Sequence, residues 1–149
     1  MALQIRKLTT DCETQPEFRP LFDAYAKECG VTAFGNWHVS WELYKRLEQA
    51  SLLHAFCALK DGKPVGLIVG IVSEHFHYSL RMMTIDTIFV KPEYRNTSIS
   101  ARLISSVMRR AKNEGITSFL ISCPPNSDLD KALAHQKNYQ LISKLYRRN

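Results

Sequence analysis

Apolar and polar residues alternate from Leu3 to Leu8, and that period of two predicts a first strand. Past a loop at Thr10–Pro16 the period lengthens. Phe18, Leu21, Phe22, Tyr25 and Ala26 fall at helical spacing within Glu17–Cys29, and Gly30 is placed to close that helix. Val31–Trp37 reads as a loop. Trp41, Tyr44 and Leu47 share one face of a second helix over Ser40–Gln49. Three strands follow, at Leu52–Leu59, Pro64–Ser73 and Leu80–Val90. Asp61-Gly62 between the first two is a hairpin signal, because such a turn needs residues that accept positive φ. Gly66 and Gly70 lie inside the longer strand, where glycine marks a bulge or close packing before it marks a ligand. Glu74–Tyr78, rich in rings and imidazoles, links it to the third.

The stretch from Thr84 to Ser122 organises the rest. Ile85, Thr87 and Phe89 alternate with Asp86, Ile88 and Val90, and Pro92 then forces the chain out of the strand. Ile99, Leu103, Ile104, Val107, Met108 and Ala111 recur at helical spacing. Arg102, Ser105, Arg109, Arg110 and Lys112 take the other side, and Gly115 closes the helix. Ile116–Ser122 is a further strand, and a strand-helix-strand crossover implies parallel pairing. Cys123-Pro124-Pro125-Asn126 ends it. Ser127-Asp128 caps a short helix at about Leu129–Gln136, and Tyr139–Tyr146 reads as a last strand. The pattern predicts an α/β (α+β) fold: a mixed, mostly antiparallel sheet flanked by helices, in one domain over residues 1–149.

Composition narrows the class. The N-terminus lacks the apolar run of a signal peptide, and Val65–Val72 is too short to span a bilayer, so the chain is expected to be soluble, cytoplasmic and away from membranes. Cys12, Cys29, Cys57 and Cys123 are scattered, which fits reduced structural thiols and no metal site. The net charge is +6, but the cations are dispersed beyond Arg109–Lys112 and Lys144–Arg148. A solvated face, or an anionic ligand, accounts for that better than a nucleic-acid surface.

The chemistry centres on the turn before the long helix. Arg95-Asn96-Thr97-Ser98-Ile99-Ser100-Ala101 runs into a helix N-terminus, whose first amides lack partners and carry partial positive charge. Such a site receives phosphate, and Arg95 adds a cation at its rim.

With the lead-in Val90-x-Pro92-Glu93-Tyr94-Arg95, this frame resembles the GNAT family of acetyl-CoA-dependent N-acetyltransferases. The family places glycine, or glycine and alanine, where Ser98 and Ser100 stand here. The element order is also similar from end to end. The resemblance implies a splay between the strands around Asp86–Val90 and Ile116–Ser122. It implies that the main chain of Ile88 and Val90 aligns the pantetheine of acetyl-CoA, and that Arg95 with the amides of Asn96, Thr97, Ser98, Ile99, Ser100 and Ala101 holds the pyrophosphate. It further implies acetyl transfer by direct attack of a primary amine on a small molecule or protein.

Asp86, an acid in an apolar strand, matches the place of an acidic residue in many members and is the base candidate. Burial there would suit that role. The family's tyrosine acid falls on Ala134 here. His75 and His77 alternate along the chain, as metal ligands can, without an evident third ligand. Trp37, His38 and Trp41 lie where the family shapes its acceptor pocket, with core packing as the plainer role for the indoles. Arg102, Lys131 and Lys137 are further cations available to CoA phosphates. Assembly as a homodimer is compatible with the sequence. Two other readings remain open: a GNAT-shaped binding module without activity, and a basic nucleic-acid binder.

Overall fold

The computed structural model describes residues 2–11, 15–29 and 35–148. The elements run β1 (Leu3–Leu8), α1 (Arg19–Cys29), α2 (Trp41–Gln49), β2 (Leu53–Lys60), β3 (Lys63–His75), β4 (Leu80–Val90), α3 (Ile99–Asn113), β5 (Ser118–Ile121) and α4 (Asp128–Ala134). The five strands form one sheet in the order β1-β2-β3-β4-β5. All neighbours are antiparallel except β4 and β5, which pair parallel. Gly30, Cys12 and the first part of the Val31–Trp37 loop lie outside the described residues.

Local chemistry sets the boundaries. Asp61 and Gly62 both adopt positive φ, 51° and 77°, as a two-residue hairpin requires. At the end of α3, Gly115 sits at φ 80°. Its N–H bonds the Lys112 carbonyl, and the Ile116 N–H bonds that of Ala111. That pair of bonds satisfies carbonyls the helix would leave orphaned. Ser127 caps α4 by accepting from the Asp130 N–H at 3.2 Å.

Two apolar layers flank the sheet. On one face, Phe18, Leu21 and Phe22 of α1 and its approach pack with Leu53, Ala55, Cys57, Leu67, Val69 and Phe89, under α2 residues Trp41, Tyr44 and Leu47. On the other, Ile99, Leu103, Val107 and Ala111 of α3 cover Ala58, Ile68, Val72, Met83 and Ile85. Gly66 and Gly70 lie under α3. A Cβ on Gly66 would meet Leu103 Cδ1 at 3.4 Å, and one on Gly70 would meet Val107 Cγ1 at 3.0 Å. Their role is close packing.

The expected alternation of β4 fails at one residue. Val69 pairs with Thr87 and Gly70 with Ile85, which leaves Asp86 as the extra residue of a β-bulge. The bulge inverts the phase. Met83 and Ile85 face α3, whereas Thr87 is buried and Phe89 packs on the α1 side; Ile88 and Val90 return to the α3 side. Ile85 therefore does not share a face with Thr87 and Phe89.

The expected strand at Tyr139–Tyr146 does not form. Residues 139–148 pair with no strand. Apolar alternation alone cannot make a strand without an edge to receive it. No helix among the described residues is long and apolar enough to cross a membrane.

Candidate active site

Pairing between β4 and β5 covers Met82–Ile85 against Ser118–Ile121 and ends with the Ser122 N–H on the Ile85 carbonyl at 3.0 Å. From Thr87 to Val90, β4 has a ladder partner only on the β3 side, and Asp86 has none. The two parallel strands thus part at the bulge, which is the expected splay. The Lys91 N–H bonds Val65 on the β3 side at 2.9 Å. Main-chain groups alternate along a strand, so those of Val90 and Ile88 turn toward the opening.

The loop entering α3 carries the second part of the site. Asn96 adopts φ 62°, and a left-handed residue between extended Arg95 and the helix lets successive N–H groups converge. Among the described residues, the N–H groups of Asn96, Ser98, Ser100 and Ala101 have no protein acceptor, while that of Thr97 closes a turn over residues 94–97. The Ile99 N–H has only a long contact, 3.4 Å, to Thr97 Oγ1. Thr97 Oγ1 itself donates to the Tyr94 carbonyl at 2.6 Å. Ser98 is the N-cap residue, makes no capping bond and is exposed, while Ser100 is half-buried. Neither serine side chain bonds an amide of this loop.

Arg95 is engaged elsewhere. Its Nε donates to the Val90 carbonyl at 2.8 Å, and its Nη2 meets Glu28 Oε2 of α1 at 2.5 Å. Its guanidinium lies 5.5 Å from the Phe89 ring centre, and Nη1 is 3.9 Å from Asp128 of α4. The hydrogen bond to Glu28 pushes Arg95 up, against a smaller opposing effect of burial. One side chain therefore joins α1, β4 and α4 at the open end of the splay, and one of the outward carbonyls, that of Val90, is occupied.

Asp86 is exposed, so the expected burial is absent. Thr87 Oγ1 donates to Asp86 Oδ2 at 3.1 Å. Tyr25 reaches the same bulge from α1, its hydroxyl donating to the Asp86 carbonyl at 3.5 Å. Burial pushes the Tyr25 hydroxyl up, so it stays protonated near neutral pH. Trp37 stands edge-on to Tyr25 with ring centres 5.7 Å apart and is half-exposed. Trp41 instead packs in the core, 5.3 Å from Phe22. Sequence reasoning placed Tyr25 on a helical apolar face and missed its polar end; its spacing carries no signal for that.

The other candidates disperse. His75 and His77 sit at the β3–β4 hairpin with ring centres 5.7 Å apart, and no metal-binding group of three occurs among the described residues. Arg102, Lys131, Lys137 and Ala134 are exposed. Cys29, Cys57 and Cys123 are free thiols, and burial pushes each of them up. None of these three is a poised thiolate.

No curated protein matches the sequence. Among solved structures, a ribosomal-protein-alanine N-acetyltransferase from Brucella melitensis biovar Abortus 2308 aligns with TM-score 0.72 and 21% identity, over 99% of each chain. AAC(6')-Iy, in complex with a bisubstrate analogue of CoA and acetylneamine, aligns with TM-score 0.76 and 19% identity, over 100% of this chain and 99% of that one. An aminoglycoside acetyltransferase, meta-AAC0020, from an uncultured soil metagenomic sample aligns in its sisomicin complex with TM-score 0.71 and 20% identity, over 99% and 96%. At these identities the likeness is one of fold. The sequence model described as the Acetyltransferase (GNAT) family matches residues 4–134, and this chain belongs to that family.

Proposed function

We propose that the protein is an N-acetyltransferase that moves an acetyl group from acetyl-CoA to a primary amine by direct attack. One observation carries the reading: a parallel strand pair that opens at Asp86, beside a helix N-terminus whose amides have no protein acceptor. In this proposal the N–H groups from Asn96 to Ala101 hold the pyrophosphate. The outward main-chain groups of Ile88 and Val90 align the amide-bearing arm. Acetyl-CoA supplies the acetyl group as an activated thioester.

Asp86 accepts the proton of the incoming amine, directly or through water, and Thr87 fixes the carboxylate by its hydrogen bond. Tyr25 is a protonated hydroxyl at the same bulge, and its long bond to the Asp86 carbonyl would have to be exchanged before it could donate to the leaving thiolate. Asp86→Asn is expected to lower turnover near neutral pH while leaving acetyl-CoA affinity unchanged. Thiol release with a panel of amines, alongside calorimetry, measures both; unaltered turnover removes Asp86 as the base.

Arg95 acts here as the anchor that starts the amide loop, its charge already shared with Glu28. Arg95→Ala is expected to weaken acetyl-CoA binding by about 1–3 kcal/mol, the scale of a charged hydrogen bond. An unchanged dissociation constant means that the amides suffice without it.

A binding module without activity is the second reading. It is favoured by the serines at positions 98 and 100, the Glu28–Arg95 pair and the alanine at position 134. Binding without turnover on any amine supports the module; measurable acetyl transfer removes it.

A further inference from the structure

Arg95 covers part of the opening that its own loop borders. Its backbone is extended and Asn96 after it takes φ 62°, so the loop departs for α3 while the side chain folds back over the Phe89 ring. The guanidinium is a planar fork of donors, and two of its nitrogens are engaged at once. Nε donates to the Val90 carbonyl at 2.8 Å, and Nη2 donates to Glu28 Oε2 at 2.5 Å. Nη1 lies 3.9 Å from Asp128 Oδ2, too long for a hydrogen bond, and the Asp128 side chain is 84% exposed. A charge-assisted bond to a carboxylate is the strong kind, so Glu28 is the partner that fixes the fork. The Val90 carbonyl lies on the stretch of β4 that has no partner on the β5 side.

We infer that Glu28 is a positioning residue that latches the opening: through Arg95 it covers the Val90 carbonyl, and acetyl-CoA binds as that latch releases. The inference rests on the acetyl-CoA reading of the opening given above. In that reading the Val90 main chain aligns the amide-bearing arm, so the arm and the guanidinium compete for the space before one carbonyl. Release has a destination. A diphosphate on the N–H groups that follow Arg95 is a second anionic partner beside the same side chain, and the guanidinium exchanges one carboxylate for it. The free protein is mostly latched, and the apparent affinity falls with the fraction that is open. Glu28 and Arg95 therefore have opposite effects although they are bonded to each other. Loss of Glu28 frees the cation and tightens binding, whereas loss of Arg95 removes the cation and weakens it.

Calorimetric titration of the full chain with acetyl-CoA tests it, across the parent, Glu28→Ala, Arg95→Ala and the double variant. Glu28→Ala is expected to lower the dissociation constant about three- to tenfold. In the Arg95→Ala background the same change is expected to have no effect, since Glu28 acts through the guanidinium. The Glu28 side chain is 45% exposed and alanine suits a helix, so the far-ultraviolet spectrum is expected to be unchanged. A readout free of ligand accompanies the titration. In ¹⁵N-labelled protein the Arg95 Nε–H is expected to exchange slowly with solvent in the parent and rapidly in Glu28→Ala; rapid exchange in the parent overturns the latch. Unchanged or weaker affinity in Glu28→Ala overturns it while the binding site stands. Equal tightening in both backgrounds also overturns it, because Glu28 then acts by direct repulsion of the anionic ligand. If neither the parent nor Glu28→Ala binds at millimolar acetyl-CoA, the acetyl-CoA reading of the opening fails and takes the latch with it.

Discussion

Ser98→Asp is expected to raise the thermal stability of the protein and, in the same variant, to reduce acetyl-CoA affinity at least about tenfold, or about 1.4 kcal/mol. The two effects share one cause. Ser98 occupies the N-cap of α3 without making a capping bond. An aspartate there can accept from a first-turn amide and complements the helix dipole, a gain of about 0.5–1 kcal/mol. The same carboxylate takes up amides assigned to the diphosphate and sets a like charge against it. Ser98 is exposed, so the substitution disturbs no packing. A thermal melt and a calorimetric titration decide the matter together. Higher stability with undiminished affinity would remove the loop as the binding site. A loss of both would point to a disturbed fold, and the capping argument would then be wrong.

Gly70→Val is expected to destabilise the protein by about 2–3 kcal/mol, the range of an overpacked core. Even a single Cβ at this position would overlap Met83 Sδ and lie 3.0 Å from Val107 Cγ1. Met83 and Val107 are fully buried, so a larger side chain here requires repacking between the sheet and α3. Gly70 also stands opposite the bulge, paired with Ile85 beside the unpaired Asp86. Strain there reaches the residue proposed as base. Urea denaturation should show a lower midpoint with an unchanged slope. Adding Met83→Ala should recover part of the loss, because the two side chains compete for one space. A Gly70→Val protein as stable as its parent would contradict the packing described for α3.

Most elements of the fold were legible because each rests on a local rule. The helical period of Ile99, Leu103 and Val107, the Asp61-Gly62 turn and Gly115 act within a few residues, and the structure keeps them. Two features depended on more. The bulge changes the phase of β4 by one residue. Its trace was present in the spacing of Ile85, Ile88 and Val90, three apolar residues on one face at steps of three and two. The segment Tyr139–Tyr146 has the side chains of a strand, but its own chain does not bring an edge to it. Sequence pattern reports what a segment can become and not where its partner lies.

The candidate site divides in the same way. The loop from Arg95 to Ala101 was visible as cation, turn and helix start. The partners of Arg95 were not, since Glu28 lies 67 residues away and no local spacing links them. The hydroxyl of Tyr25 was hidden for the same reason, 61 residues from the Asp86 carbonyl it meets. Long-range polar contacts leave no period in a sequence, whereas apolar faces do.

The central claim is that the amides after Arg95 receive a diphosphate beside an opened strand pair. An amide-resolved NMR titration of the ¹⁵N-labelled protein with acetyl-CoA tests it most directly. The shifts are predicted to concentrate at Asn96–Ala101 and at Ile88–Val90, with the far hairpin at His75–Ser79 unmoved. Titration to millimolar acetyl-CoA without movement of the Asn96–Ala101 amides would contradict it.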